Sequence, residues 1–405
     1  MASHTTETPR NAVVVTGLGV VCPLATSAEE LARRFAAGKR VCASAALEHR
    51  GALVDRIPLE ALPEHSRAHA ARLDRFCQLL LAASHWATQS AGLQPVSYDP
   101  ARVGVVFGTG LGCLLTNEEY FRRVVEGGLR AASPRLFAYT VSSAAAGEVS
   151  ISLGATGPNI TRHEGLAAGT GALGYGFDLL RTGKADVVLA GGGDVLGPAL
   201  VAALADMNLL KTPAQARPYR DDVPGLYPSE AAVVAVLERA DGARERGARA
   251  LATIEGYASG FEPTLTKEKP STLGSVATIR RALAACGRAP SEVGLVLGSA
   301  HGTHIDVTER AALAEALGEH SNAVLLASKA ALGESFAGSG LLDLALAVGL
   351  WQAQLPLVSD LTFTVGGSAL APADAQRRLD GARVAMIHSL CYSGNVVALL
   401  LARGT

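Results

Sequence analysis

Lys184–Asp194 reads KADVVLAGGGD, in which four apolar residues in succession, Val187–Ala190, run directly into three glycines. An apolar run without alternation predicts a strand covered on both faces, and the glycines a tight turn at its end. The same signature recurs at Ala12–Val15, Val103–Phe107, Val293–Leu297, Ala323–Ala327 and Val384–Ile387. Between these runs lie stretches rich in Ala, Leu and Arg, at Ala28–Ala37, Ala167–Thr182, Ile279–Ala285 and Thr308–Leu317, which read as helices. Strands alternating with helices predict an α/β layered fold. The order is also duplicated. Residues 11–255 and 256–405 each offer a strand, a small-residue turn, helices and a glycine-rich close. The division follows an expected strand at Ala250–Ile254 and lies in Gly256–Thr266.

The bulk numbers set bounds. The chain has 405 residues, 49% of them hydrophobic, enough for a large core. Its net charge is −1, so bulk charge draws it neither to nucleic acid nor to an anionic membrane, although an acidic partner can still meet a local basic patch. The cysteines at 22, 42, 77, 113, 286 and 391 form no CxxC pair and no Cys/His cluster, which excludes a sequence-encoded zinc site or disulfide framework and points to free thiols. Residues 1–10 lack the basic-then-apolar order of a signal peptide, and Ala12–Leu24 is too short to span a bilayer and is broken by Gly17, Gly19 and Pro23. The expectation is a cytoplasmic protein with neither a membrane nor a nucleic-acid partner.

Three glycine turns invite a dinucleotide reading, and all fail it. The fingerprint G-x-G-x-x-G needs its third glycine for close packing of helix on strand. After Gly17-Leu-Gly19 that place holds Cys22, after Gly108-Thr-Gly110 it holds Cys113, and after Gly191-Gly-Gly193 it holds Leu196. No phosphate loop and no G-x-S-x-G elbow occurs; Gly333-Glu-Ser335-Phe-Ala337 comes nearest and lacks the second glycine. Packing between layers accounts for these glycines instead.

Seven segments in order resemble the β-ketoacyl-acyl-carrier-protein synthase (ketosynthase) family: VVVTGLGVVCPLA from Val13, GATGPN at 154–159, KADVVLAGGGD at 184–194, ARPYRDDVPGLYPSEAAVVAVLE at 216–238, SAHGTHID at 299–306, SKAALGESFAGSG at 328–340 and HSLCYSGNVVALLL at 388–401. The resemblance spans nearly the whole chain. It implies the duplicated thiolase-like fold, five-layered α-β-α-β-α, and a dimer.

It also implies which positions matter. Family members place a cysteine at a helix N-terminus, where the dipole favours the thiolate that attacks an acyl thioester. Counting from the Gly-Pro pair puts that position at Leu166, which has no nucleophile. Two histidines normally stabilise the enolate formed when malonyl thioester loses carbon dioxide. His301 matches the first and Glu334 stands at the second. A carboxylate there repels an enolate by several kcal/mol unless protonated or paired. The family lysine matches Lys329, whose charge needs a partner, Glu334 or Glu309. Of the threonines that hold the phosphopantetheine arm, Thr303 remains and Ile305 replaces the other; Tyr392 matches the gating aromatic, with Cys391 where family members carry glycine. His163 and Glu164 flank the lost cysteine and are candidates for the dimer interface, while Arg217 and Tyr219 are expected to fix a loop.

Three losses at independent loops imply a chain that does not condense. The resemblance is strongest to the cysteine-less chain-length factor of type II polyketide synthases, with leucine where aromatic-polyketide factors carry glutamine. The implied partners are an active ketosynthase, in a heterodimer, and an acyl carrier protein whose phosphopantetheine carries the acyl chain. No metal and no cofactor of its own is implied. Two alternatives stay open: an acyltransferase or malonyl decarboxylase using His301 and Glu334, and a non-catalytic acyl-binding homodimer.

Overall fold

The computed structural model describes residues 12–48, 50–94, 98–220, 225–263, 271–353, 355 and 361–404. Residues 1–10, residues 221–224 of the arginine-proline loop and the end of the expected 256–266 division lie outside them. Among the described residues eleven strands form one hydrogen-bonded ladder. They are β1 (Val13–Val21), β2 (Val103–Gly108), β3 (Asn159–Arg162), β4 (Val187–Asp194), β5 (Ala231–Arg239), β6 (Ala252–Phe261), β7 (Val293–Leu297), β8 (Val324–Leu326), β9 (Thr362–Thr364), β10 (Val384–Leu390) and β11 (Asn395–Arg403).

The ladder contains the same five-strand unit twice. The first half runs β3-β2-β4-β5-β1 and the second β8-β7-β10-β11-β6, with β9 added at the far edge. Directions repeat as well. β2 is parallel to β3 and β4 while β5 is antiparallel to β4 and β1; β7 is parallel to β8 and β10 while β11 is antiparallel to β10 and β6. The halves join where Val13–Val15 pair antiparallel with Ala252–Ile254. The strand expected at Ala250–Ile254 therefore runs from Ala252 to Phe261, and the expected division at 255/256 falls inside β6. That strand belongs whole to the second half, because its pairing with β11 repeats that of β1 with β5.

Helices make the remaining layers. Arg75–Ser90 covers β1 and β5, and Leu273–Cys286 covers β6 and β11, each on an outer face. Between the half-sheets lie two helices, Ala168–Arg181 and Ser339–Ala353, each touching both. This is the five-layered α-β-α-β-α arrangement. The central helix is buried continuously from Ser339 to Trp351, so it is apolar all round rather than along one stripe. The segment Phe336–Ala353 is long and apolar enough to cross a bilayer, yet 89% of it is buried here, as the core helix of a layered fold would be.

Of the glycines that failed the dinucleotide test, Gly17 and Gly19 sit at a layer contact and Gly191–Gly193 against neighbouring strands of the sheet. A Cβ at Gly17 or Gly19 of β1 would fall inside van der Waals contact of the Ala87 or Ala83 carbonyl on helix Arg75–Ser90. Backbone cannot yield there as a side-chain tip could. Gly19→Ala is expected to lower folding stability by about 3 kcal/mol, the upper end of overpacking costs, read as a shift of the denaturant midpoint at unchanged m-value.

Candidate functional site

Parallel strands gather the relevant loops. β7, β8 and β10 end at Leu297, Leu326 and Leu390, and the segments that follow carry His301, Lys329, Glu334 and Tyr392. In the other half, β3 ends at Arg162 and leads to Leu166, two residues before helix Ala168–Arg181. Sites in α/β sheets form outside the carboxyl ends of strands, where loops diverge. Positive φ at Ala300 (44°) and Phe336 (51°) turns the backbone beside His301 and Glu334.

His301, Lys329 and Glu334 meet. Lys329 Nζ donates to Glu334 Oε2 at 2.7 Å, and His301 Nδ1 lies 3.1 Å from the same oxygen. The other carboxylate oxygen accepts from Phe336 N and Ser339 Oγ, both at 2.9 Å. His301 and Glu334 are each 1% exposed. Burial alone would push the Glu334 carboxyl up, but the Lys329 charge and the His301 hydrogen bond outweigh it and bring it down to about 2. Glu334 is therefore an ionised, fully bonded anion at neutral pH. His301 has no free ring nitrogen, since Nε2 is 2.5 Å from the Leu390 carbonyl oxygen.

Lys329 thus takes Glu334, not Glu309. Glu309 instead accepts from Ser299 N (2.6 Å), Ala300 N (3.1 Å) and Tyr219 Oη (2.8 Å), and lies 2.7 Å from His388 Nδ1. Its burial is again outweighed, chiefly by His388, and its carboxyl is brought down to about 2. Asp306 fixes the loop before it, accepting from the amides of Tyr219, His301 and Gly302 at 2.8 to 2.9 Å. Burial raises Asp306 to about 6 and Asp343, behind Lys329, to about 7. Sequence reading placed Tyr219 in a loop-fixing role but missed His388, Asp306 and Asp343. Only Asp306, five residues after His301 in SAHGTHID, left a local signal.

Leu166 is half-buried and packs on an apolar cluster that includes Leu196, Leu226 and Phe336. Its amide points to Cys391 Sγ at 3.4 Å, and Ser393 Oγ donates to the same sulfur at 3.1 Å. Cys391 is 3% exposed. The cavity lined by Leu166, His301, Lys329, Asp343 and His388 measures about 10 Å³, space for roughly one water molecule. Asp194, at the end of β4, accepts from Thr109 Oγ1 (2.5 Å), Leu111 N (2.8 Å) and Ala337 N (2.9 Å), tying β4 to the segment after Glu334.

At the mouth, the Tyr392 ring lies 4.6 Å from that of His301, tilted by 36°. Thr303 is 8% exposed, while Ile305 is 2% exposed and packs on Leu390 and Val396. His163 is exposed and Glu164 pairs with Arg162. Both follow β3, the strand at the edge of the ladder. Near that edge the segment 114–153 exposes Phe121, Val125, Leu129, Phe137, Val141 and Ile151. An unpaired strand edge beside exposed apolar side chains is a surface suited to a partner.

Comparison with known proteins gives the family. The model of the β-ketoacyl synthase N-terminal domain matches residues 10–243, and that of the C-terminal domain residues 251–356. The chain is 31% identical over 353 residues to the tetracenomycin polyketide synthase ketoacyl synthase alpha subunit of Streptomyces glaucescens, covering 82% of this chain and 83% of that one. It is 28% identical over 415 residues to 3-oxoacyl-[acyl-carrier-protein] synthase 2 of Vibrio cholerae, covering 96% and 99%. Among solved structures, the ishigamide ketosynthase/chain length factor superposes with a TM-score of 0.83 at 24% identity, covering 98% of this chain and all of that one. The ketosynthase ApeO in complex with its chain length factor ApeC, from Xenorhabdus doucetiae, gives 0.80 at 20% identity with full coverage of both. With its duplicated five-layered architecture and both family domains matched in order, the chain belongs to the β-ketoacyl synthase family of the thiolase-like fold.

Proposed function

We propose that this chain is the non-condensing subunit of a heterodimeric ketosynthase, a chain-length factor for a partner that elongates carrier-bound polyketide or fatty acyl chains. The observation that carries the reading is the closed site: a leucine at the nucleophile position, above a cavity of about 10 Å³. A chain acylated at residue 166 would need a thiol and room for the acyl group, and among the described residues position 166 has no thiol and a cavity of only that size beside it. Its exposed apolar band beside β3 is the surface for the active ketosynthase, and His163 and Glu164 lie at that margin. Across such an interface an inactive subunit lines the tunnel in which its partner's chain grows, and bulky side chains end the growth. The acyl chain arrives on the phosphopantetheine of an acyl carrier protein, with Thr303 and Tyr392 left at the vestigial mouth. The six free cysteines fit a reducing cytoplasm.

The decarboxylase alternative is disfavoured by specific geometry. Enolate stabilisation needs a hydrogen-bond donor aimed at the developing charge. His301 Nε2 is committed to Leu390, and the neighbouring Glu334 is an anion.

Co-expression tests the proposal. With a cysteine-bearing ketosynthase the chain is expected to elute as a 1:1 heterodimer. Cys→Ser in the partner's nucleophile should abolish product, while Leu166→Ala here should leave turnover within about threefold, because a group that never touches the reacting atoms contributes little to the barrier. A stable homodimer that ignores the ketosynthase would sink the reading in favour of the acyl-binding alternative.

A further inference from the structure

A cleft of about 960 Å³ opens at the amino ends of β7 and β10, beside the close of β11. Helix Pro372–Gly381 walls one side, and the stretch from Arg288 to Glu292 the other. β7 and β10 run parallel, so the cleft lies at the opposite end of these strands from His301 and Tyr392. About 20 Å of strand separates the two. The cleft is therefore distinct from the degenerate site.

Its charges are of one kind. Arg288, Arg377, Arg378, Arg383 and Arg403 line it, against a single carboxylate, Glu292, and no lysine. The whole chain carries a net charge of −1, so this is a local accumulation. Two of the five arginines are matched: Arg288 by Glu255 and by Glu292 at 2.7 Å, and Arg377 by Asp374 at 2.9 Å. Arg403 donates to the Trp351 carbonyl at 2.8 Å, a neutral partner that leaves its charge uncompensated. Arg378 and Arg383 meet no carboxylate among the described residues. Three positive charges thus face one hollow without an anion. A concave surface of one sign focuses its field on whatever enters, and the volume is that of a small-molecule site. The guanidinium fork fits phosphate and carboxylate oxygens alike. A phosphoryl group turns three oxygens in different directions and so meets two forks at once, whereas a carboxylate holds two oxygens in one plane. Two linked phosphoryl groups also bring about three negative charges, as many as the cleft leaves unmatched.

We propose that this cleft binds a small diphosphate, free or as the diphosphate end of a nucleotide. Isothermal titration calorimetry with inorganic pyrophosphate and with ADP, at low salt and without divalent metal, tests this on the purified chain. Pyrophosphate is expected to bind with Kd near or below ~1 mM, and to raise Tm in parallel. ADP binding about tenfold tighter would assign a nucleotide, and equal affinity the phosphoryl groups alone; both support the site. Citrate, also a trianion, should bind about tenfold or more weaker. Arg378→Gln and Arg383→Gln should each weaken pyrophosphate by about tenfold or more, the factor for one charge-assisted pair. Arg383 is exposed, so its substitution leaves the fold intact even if that of half-buried Arg378 does not. Arg378→Lys keeps the charge without the fork and should recover only part of the affinity. Arg33→Gln makes the same change in net charge on helix Ala28–Ala36, away from the cleft, and should leave Kd within about twofold. Neither heat nor a rise in Tm with either probe, citrate binding as tightly as pyrophosphate, or indifference to both glutamine substitutions would each overturn the site. So would tighter binding of hexaglutamate, which would assign the arginines to an acidic protein segment. None of these outcomes bears on the chain-length reading, which the co-expression experiment tests separately.

Discussion

Glu334→Gln is expected to lower folding stability by about 3–5 kcal/mol, the cost of leaving one partner of a buried ion pair uncompensated. Glutamine keeps the shape, and its amide can still accept from Phe336 N or Ser339 Oγ. It removes the charge that Lys329 faces at 2.7 Å in a nearly dry site. The pair's net worth is a different quantity. Replacing both residues by apolar ones of similar volume, as in Lys329→Met with Glu334→Leu, removes charge and counter-charge together, and this double variant should lie within about 2 kcal/mol of the parent. The pH dependence has a fixed sign. The Glu334 carboxyl sits at about 2 in the folded chain, against a usual 4.5. A depressed folded pKa gives stability that is fully present above 4.5 and lost as pH falls toward 2. That shift corresponds to about 3 kcal/mol. Glu309 titrates over the same window for the same reason, so the parent's acid loss is the sum of both carboxylates. Urea denaturation at pH 7 and pH 3 separates them: the gap between parent and Glu334→Gln should narrow at the lower pH. A gap unchanged with pH would assign the loss to packing rather than charge.

The layers could be read from the chain because six of the strands, β1, β2, β4, β7, β8 and β10, hold short apolar runs, while β3 (NITR) and β9 (TFT) hold none. β7 occupies the expected Val293–Leu297, and β4 begins at the expected Val187. Strand ends were less legible, since β1 continues to Val21 past Thr16, Gly17 and Gly19, and β4 to Asp194 through three glycines, residues that only pairing places in a sheet. The Lys329–Glu334 pair was within reach of sequence because five residues separate its members. The rest of the site was not. The Leu166 amide finds Cys391, 225 residues away, and Asp194 finds the Ala337 amide, 143 away. His388 and Glu309 are 79 apart. These contacts come from the stacking of two half-sheets around the two central helices, and no local pattern encodes them. Ile305 illustrates the point. As a letter it was expected to stand for a threonine that holds a pantetheine arm, and in the fold it turns inward to pack on Leu390 and Val396.

On the proposed reading of Leu166 as the nucleophile's position, its contact with Cys391 makes that loss more than one substitution deep. At a helix N-terminus the nucleophile's own amide is well placed to stabilise the oxyanion of a thioester under attack. Here that amide points at the Cys391 sulfur, at 3.4 Å. Leu166→Cys alone should therefore restore a thiol without restoring a reaction. Intact-protein mass after incubation with an acetyl thioester is expected to show no adduct above the Leu166 parent. Cys391→Gly frees the amide, and Glu334→His replaces the anion by a donor. The triple variant, Leu166→Cys with Cys391→Gly and Glu334→His, should acylate at least about 100-fold faster than Leu166→Cys, the factor attached to one oxyanion donor. The gain should be confined to short acyl groups, because the cavity behind residue 166 holds about 10 Å³, and octanoyl thioester should stay unreacted. A Leu166→Cys variant that takes up acetyl as fast as the triple variant would mean that the site is vacant rather than closed, and that the chain lost only its thiol.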